Sequence, residues 1–304
     1  MRIVLLVNST ASKVTARDCQ IVSETLRVEH AVDIVQTTGR MHASVLAREA
    51  ADRGADVVAV LAGDGTLNEA ADGLAHTDTA LAPLPAGSTN VYARTLGVGK
   101  SPADAAAHLL ASLRRRSFRR IGLGVANGRR FLFHSGIGFD AAVIKRVESR
   151  RPLKRYFAHP LYVLAALDTL ARRYDRTRQR FEIKLANGET IERVGFAIVS
   201  KTSPYTYLGP RAITVSPEAG LDTPLALVAF QAMDGVTLFG ATASSLLSGR
   251  FIARRAGIAH RSALSELTVT GPVPFPWQVD GDYVGMTTKL EFTYEPDVLE
   301  LVVP

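Results

Sequence analysis

The chain has a single cysteine, Cys19, among its 304 residues. That excludes an internal disulfide framework and a multi-cysteine metal site, and it suits a reducing cytosol. Aromatic residues make up 7% of the chain and are sparse among its basic clusters. Base-stacking surfaces of the kind that hold nucleic acid are therefore not expected. The seven histidines form no ligand-like pair and read as surface or core residues. Long apolar runs are missing too. Apart from the opening strand-like run, the longest, around residues 161–167, falls well short of the ~20 residues that span a bilayer. The opening MRIVLLVNST lacks the longer apolar core and small-residue cleavage site of a secretory signal. Residues 3–7 read instead as a first strand, and a soluble, cytoplasmic protein is expected.

The chain is long enough for two domains with a sizeable core. Hydrophobic residues are 47% and charged residues 21%, with a formal net charge of +7 carried mostly by arginine. Arginine groups stand at 114–116, at 119–120, at 150–155 with Lys154, and at 172–180. Such groups attract nucleic acid, an anionic membrane or a phosphorylated substrate, or are simply solvated arginines. With so few interleaved aromatics, nucleic acid is the weakest of these partners.

Residues 1–95 alternate strand and helix patterns. Strands are expected at 2–7, 31–36, 57–61 and 79–84, with helices at 15–29, 42–53 and 67–75 and a further one at 101–116. This rhythm predicts a doubly wound parallel sheet, in which ligands sit beyond the carboxyl ends of the strands. The loops at those ends are residues 8–12, Thr37-Thr38, Gly63–Thr66 and Gly87–Asn90, all rich in hydroxyl, amide or glycine groups. The central one, AGDGTLNE at 62–69, places two glycines around an acid between a buried strand and a helix. Glycine allows close backbone approach and a helix start favours an anion. Asp64 beside a polyphosphate calls for an intervening cation. Taken alone, the stretch also reads as an ordinary strand–turn–helix connection; the neighbouring loops favour a nucleotide.

From residue 121 short strand-like runs take over, at 130–134, 181–185, 193–200, 225–230, 267–270, 276–279, 289–294 and 298–302. Turn signals separate them, among them Asn127-Gly128, Asn187-Gly188 and Asp280-Gly281. A mainly antiparallel second domain is expected, with helices near 160–173 and 236–253. The boundary falls at 120/121.

Four stretches taken together resemble the diacylglycerol kinase catalytic family, bacterial lipid kinases related to sphingosine kinases. They are AGDGTLNE at 62–69, PAGSTNVYAR at 85–94, GIGFDA at 136–141 and VDGDYVG at 279–285. The resemblance implies a NAD-kinase-like α/β domain at 1–120, a β-sandwich-like lipid domain at 121–304, and an active site in the cleft between them. Residues 286–304 would be candidates to pack back on the first domain. It implies ATP held by Asn8, Ser9, Thr10, Ser12, Thr37, Thr38, Gly63, Asp64, Gly65, Thr66, Asn68, Gly87, Ser88, Thr89 and Asn90. Mg²⁺ would be engaged by Asp64 through the nucleotide. Asp282 would be the general base on a lipid hydroxyl, most plausibly that of diacylglycerol, and Asp140 would either touch the lipid head group or cap a turn.

The family's second-domain metal site uses an aspartate in a DGxLD-like stretch, which Ala219 replaces here. Glu218 or Asp222 would then substitute, or the metal would be absent. Ala62 and Val91 also depart from the family pattern. The partners implied are ATP, a lipid and a peripheral anionic membrane surface, and a homodimer is compatible with the reading. The rival readings are a NAD-kinase-like or sphingosine-type kinase and a non-catalytic, nucleotide-regulated lipid-binding protein.

Overall fold

The computed structural model of the chain describes residues 1–8, 14–99, 101–148, 181–232 and 256–304, with single positions between 237 and 247. The chain divides into one unit of residues 1–123 with 296–304 and another of residues 124–295.

In the first unit, β1 (Arg2–Val7), α1 (Ala16–Arg27), β2 (Ala31–Gln36), α2 (His42–Asp52), β3 (Val57–Ala62), α3 (Asp64–Leu74) and β4 (Ala80–Pro85) follow one another. The strands are parallel, in the order β2-β1-β3-β4, with Val7 level with Gln36 and Leu61, and Ala62 level with Pro85. The apolar run of β3 is buried along its whole length, as expected of a strand covered on both faces. On one face Ile3, Leu5, Ala59, Leu61 and Ala82 pack with Val22 and Leu26 of α1. Leu109 and Leu113 of α5 (Pro102–Arg114) join the same cluster. The period of two turns Val4, Leu6, Val58 and Val60 to the opposite face, where α2 and α3 pack. Both α1 and α5 start where side chains accept from the first-turn amides. Thr15 and Asp18 form a reciprocal capping box, and Ser101 caps Asp104 with Pro102 at the first turn. A five-residue helix, α4 (Val91–Thr95), follows β4.

The second unit is antiparallel. It contains the end of β5 (Phe118–Ala126), then β6 (Arg129–Phe131), β7 (His134–Gly138), α6 (Phe139–Glu148), β8 (Phe181–Leu185), β9 (Thr190–Val194), β10 (Phe196–Ser200), β11 (Thr206–Leu208), β12 (Arg211–Ile213), β13 (Leu225–Phe230), β14 (Ile258–Leu264) and β15 (Glu266–Val279). The last strand, β16 (Asp282–Val302), starts in this unit and ends in the first, where Leu301 pairs parallel with Leu81. The ladder runs β14-β13-β10-β7-β15-β16, with β8 and β9 on a branch from β15. Phe131, Ile183, Val199, Leu227, Val269, Phe275, Leu290 and Phe292 are among its buried core. A parallel α/β unit followed by an antiparallel β-rich one bears out the expected fold class.

Three local expectations differ. The strand anticipated at 130–134 is two strands, because the amides of Leu132 and Phe133 leave the ladder to bond Asp280. The runs 267–270 and 276–279 are one strand, irregular between Thr270 and Phe275, where Pro272 and Pro274 have no N–H to pair. The runs 289–294 and 298–302 likewise belong to one strand. The helices expected near 160–173 and 236–253 lie outside the described residues, or mostly so. Among the described residues, no helix is long and apolar enough to cross a membrane.

Candidate functional site

The register of the parallel sheet brings the polar loops together. Asn8, Thr37, Gly63 and Ala86 each follow the end of a strand at the same sheet edge. Residues 64–66 are not a free turn: Gly63 is the N-cap and Asp64, Gly65 and Thr66 form the first turn of α3. Their N–H groups have no acceptor within the helix, which makes this end a donor surface for an anion. Asn8 Nδ2 donates to Thr66 Oγ1 at 2.9 Å, tying the end of β1 to that turn. Asn68 is buried one turn further along α3.

The second glycine loop is pinned by Asn90, whose Oδ1 accepts from Gly87 N at 2.7 Å and whose Nδ2 donates to Gly87 O at 3.1 Å. Asn90 itself takes a left-handed conformation, φ 50°. Its side chain is thereby committed to the loop and does not cap α4. Asp64 does so from α3. Its Oδ2 accepts from Val91 N at 2.9 Å and its Oδ1 from Tyr92 N at 3.1 Å. Burial pushes the Asp64 carboxyl pKa up, and the backbone amides of Val91, Tyr92 and Asn90 oppose the shift. The two glycine loops touch: a Cβ on Gly87 would stand 2.6 Å from Gly63 Cα and 3.0 Å from Asn90 Oδ1. Gly87→Ala is therefore expected to force the loops apart. Overpacking of this kind costs about 1–3 kcal/mol, to be read as a lower melting temperature together with weaker nucleotide binding in a titration.

Ser88 is exposed and Thr89 half-buried at the loop tip. Thr37 is buried, its amide donating to Val7 O. Thr38 binds His42 Nδ1 through both its amide, at 3.0 Å, and its hydroxyl, at 2.9 Å, a partner that sequence reasoning missed. Ser9, Thr10 and Ser12 lie outside the described residues. So do the arginines at 150–155 and 172–180. Of the described arginines, Arg114 pairs with Glu29, and Arg120 binds Asp297 O and Asp78.

In the second unit, Asp280-Gly281 turns β15 into β16, with Val279 opposite Asp282. Both turn residues have positive φ, 49° and 85°, the conformation of a tight primed hairpin that Asp-Gly favours. Asp280 is 6% exposed and accepts from three amides, Leu132 N at 2.8 Å, Phe133 N at 3.0 Å and His134 N at 2.9 Å. It is a structural acid. Asp282, two residues on, has a 37% exposed side chain and stands 3.6 Å from Arg129. Arg129 was not singled out in the sequence; its position just after the Asn127-Gly128 turn was the only signal. Asp140 falls in the first turn of α6.

Glu218 Oε1 lies 2.6 Å from His260 Nε2, and Asp222 is exposed in the next turn. Among the described residues, no group of three or more His, Cys, Asp or Glu could hold a metal ion.

Comparison with known proteins relates part of the chain to a family. Residues 2–123 match the diacylglycerol kinase catalytic domain. Over this stretch the chain resembles the diacylglycerol kinase catalytic-domain family. The chain is 32% identical over 156 residues to the diacylglycerol kinase of Bacillus subtilis (strain 168), a match covering 50% of each. It is 36% identical over 107 residues to a Pseudomonas aeruginosa (strain UCBPP-PA14) protein named "Probable lipid kinase YegS-like", covering 34% of this chain and 33% of that one. The chain thus aligns with half, or less, of the length of these curated relatives. Its fold is that of a diacylglycerol kinase crystal structure from Bacillus anthracis str. Sterne, with a TM-score of 0.73 at 19% identity over 100% of this chain and 97% of that one.

Proposed function

We propose that the chain is a lipid kinase that transfers the γ-phosphoryl group of Mg-ATP to a lipid hydroxyl, with diacylglycerol as the acceptor. The observation that carries this reading is the first-unit loop pair. At the strand ends a Cβ on Gly87 would stand 2.6 Å from Gly63 Cα, and Asp64 at the start of α3 is joined to α4 through the amides of Val91 and Tyr92, inside a segment that matches the catalytic-domain family. Phosphate oxygens would accept from the first-turn amides of α3 and from the loop at Gly87–Thr89. Asp64, whose carboxylate accepts from the amides at the start of α4, would supply the negative charge facing the cation of Mg-ATP. The magnesium supplies charge neutralisation on the transferring phosphoryl group.

In the transfer, the lipid hydroxyl oxygen bonds to the γ-phosphorus, the bond to the β–γ bridging oxygen breaks, and ADP leaves. The hydroxyl proton passes to Asp282, which must lie within about 2.6–3.2 Å of it or one water away. Little covalent help is required, because positioning and charge neutralisation dominate phosphoryl transfer. The second unit would supply the apolar surface for the acyl tails, and the arginines at 150–155 and 172–180 the contact with anionic lipid.

The test is a phosphorylation assay with labelled ATP against diacylglycerol, sphingosine and NAD, resolved by thin-layer chromatography. Labelled phosphatidic acid is the expected product. Label in NADP instead would assign a NAD-kinase-like activity. Label in a sphingosine product would reassign the acceptor, and nucleotide and lipid binding without turnover would assign a regulatory protein.

A further inference from the structure

The loop after β12, residues 216–223, is closed on itself and on one buried lysine. Ala219 N donates to Ser216 O, and Thr223 Oγ1 accepts from Gly220 N at 2.8 Å. Lys201, the residue after β10, is 1% exposed, yet its Nζ reaches Gly220 O at 2.9 Å and Leu221 O at 3.0 Å. The same Nζ stands 5.5 Å from the centroid of the Tyr294 ring, within the range of a cation–π contact. An ammonium has three donors and no acceptor. Two carbonyl oxygens and an aromatic face give it three partners, all uncharged. Its backbone is held as well, Lys201 N donating to Phe133 O at 2.8 Å.

We infer that the ammonium of Lys201 is the built-in cation of this loop, and that the second unit needs no metal ion there. Carbonyl oxygens converging in a buried place are hard-cation ligands, and the two here are already taken by a positive charge. A divalent ion on either oxygen would sit a few ångströms from Nζ and be repelled by it. The acids do not converge on these carbonyls either: Ala219 stands where the family resemblance places an aspartate, Glu218 faces His260, Asp222 is exposed, and among the described residues no group of three or more His, Cys, Asp or Glu could hold a metal ion. The donor set of residues 216–223 does not fit a divalent metal. Burial lowers the Lys201 pKa to about 8, which still leaves the ammonium form dominant at pH 7.

Hydrogen exchange on the full-length chain, read at the peptide covering residues 216–223, tests both halves without reference to kinase activity. In the wild type, exchange of this peptide is expected to be the same in EDTA as in millimolar Mg²⁺ or Ca²⁺. Lys201→Met keeps the buried stem and removes the donors. Charge-assisted hydrogen bonds are strong enough that losing them should speed exchange in this peptide by about tenfold or more. If Lys201→Met does not accumulate folded, Lys201→Gln, which retains one donor group, carries the same comparison. Metal-dependent protection of residues 216–223 in the wild type would overturn the inference. So would wild-type exchange rates in the lysine variants.

Discussion

Asp282→Asn is expected to lower kcat for lipid phosphorylation by about 10²–10⁴-fold, the usual contribution of a general base, with ATP affinity unchanged. The nucleotide-binding candidates all belong to the first unit, whereas Asp282 opens β16 in the second. Asparagine has the same shape and cannot take the proton. Its side chain is over a third exposed, and its ion partner Arg129 is at 3.6 Å, so losing the pair should cost at most about 1 kcal/mol. A variant that melts like the wild type, binds ATP like the wild type and does not turn over would isolate the proton-transfer role. Near-normal kcat would remove Asp282 from it. Asp280 provides the contrast: it belongs to the same Asp-Gly-Asp triplet but is bonded to three amides, so the two aspartates divide between holding the hairpin and facing solvent.

That division explains what could be read in the chain beforehand and what could not. The buried strands of the first unit, the glycine loops and the Asp-Gly hairpin are local signals: apolar runs, capping residues and positive-φ turn pairs act within a few residues. The carboxylate of Asp280 is joined to an amide 148 positions away, and no periodicity in residues 130–134 reports that two of their amides leave the strand ladder. Asp64 and α4 are related in the same way. The five residues of α4 are too few to announce a helix, and its cap comes from 27 positions earlier. Lys201 reads as one more surface cation until the fold buries it over the carbonyls of Gly220 and Leu221. The residues proposed for the nucleotide site could be picked out in the sequence because they follow strand ends. Sequence reasoning missed Arg129, His42 and Lys201 because their roles depend on the partners that the fold supplies.

Asp64→Asn is the second large effect. The acid holds the N-terminus of α4 through Val91 N and Tyr92 N, and in the proposed reaction it also faces the cation of Mg-ATP. Asparagine keeps one acceptor oxygen and puts an NH₂ group against the other amide, leaving one donor unpaired. An unmet buried donor costs about 1–3 kcal/mol. The substitution also removes a buried charge, whose desolvation already raises the carboxyl pKa, so part of that cost is offset. The expected stability loss is therefore small, at about 1 kcal/mol. The expected kinetic loss is not: without the negative charge on the metal side, kcat/KM for Mg-ATP should fall by about 10²-fold or more, as removal of a preorganised electrostatic group does elsewhere. Thermal melting and an Mg-ATP titration of turnover measure the two effects separately. A large fall in melting temperature with proportionate loss of activity would make Asp64 an organiser of α4 alone. Unchanged turnover would sink the metal-side role. A small melting shift beside a large kinetic loss is what a carboxylate shared between a helix cap and a nucleotide-bound cation requires.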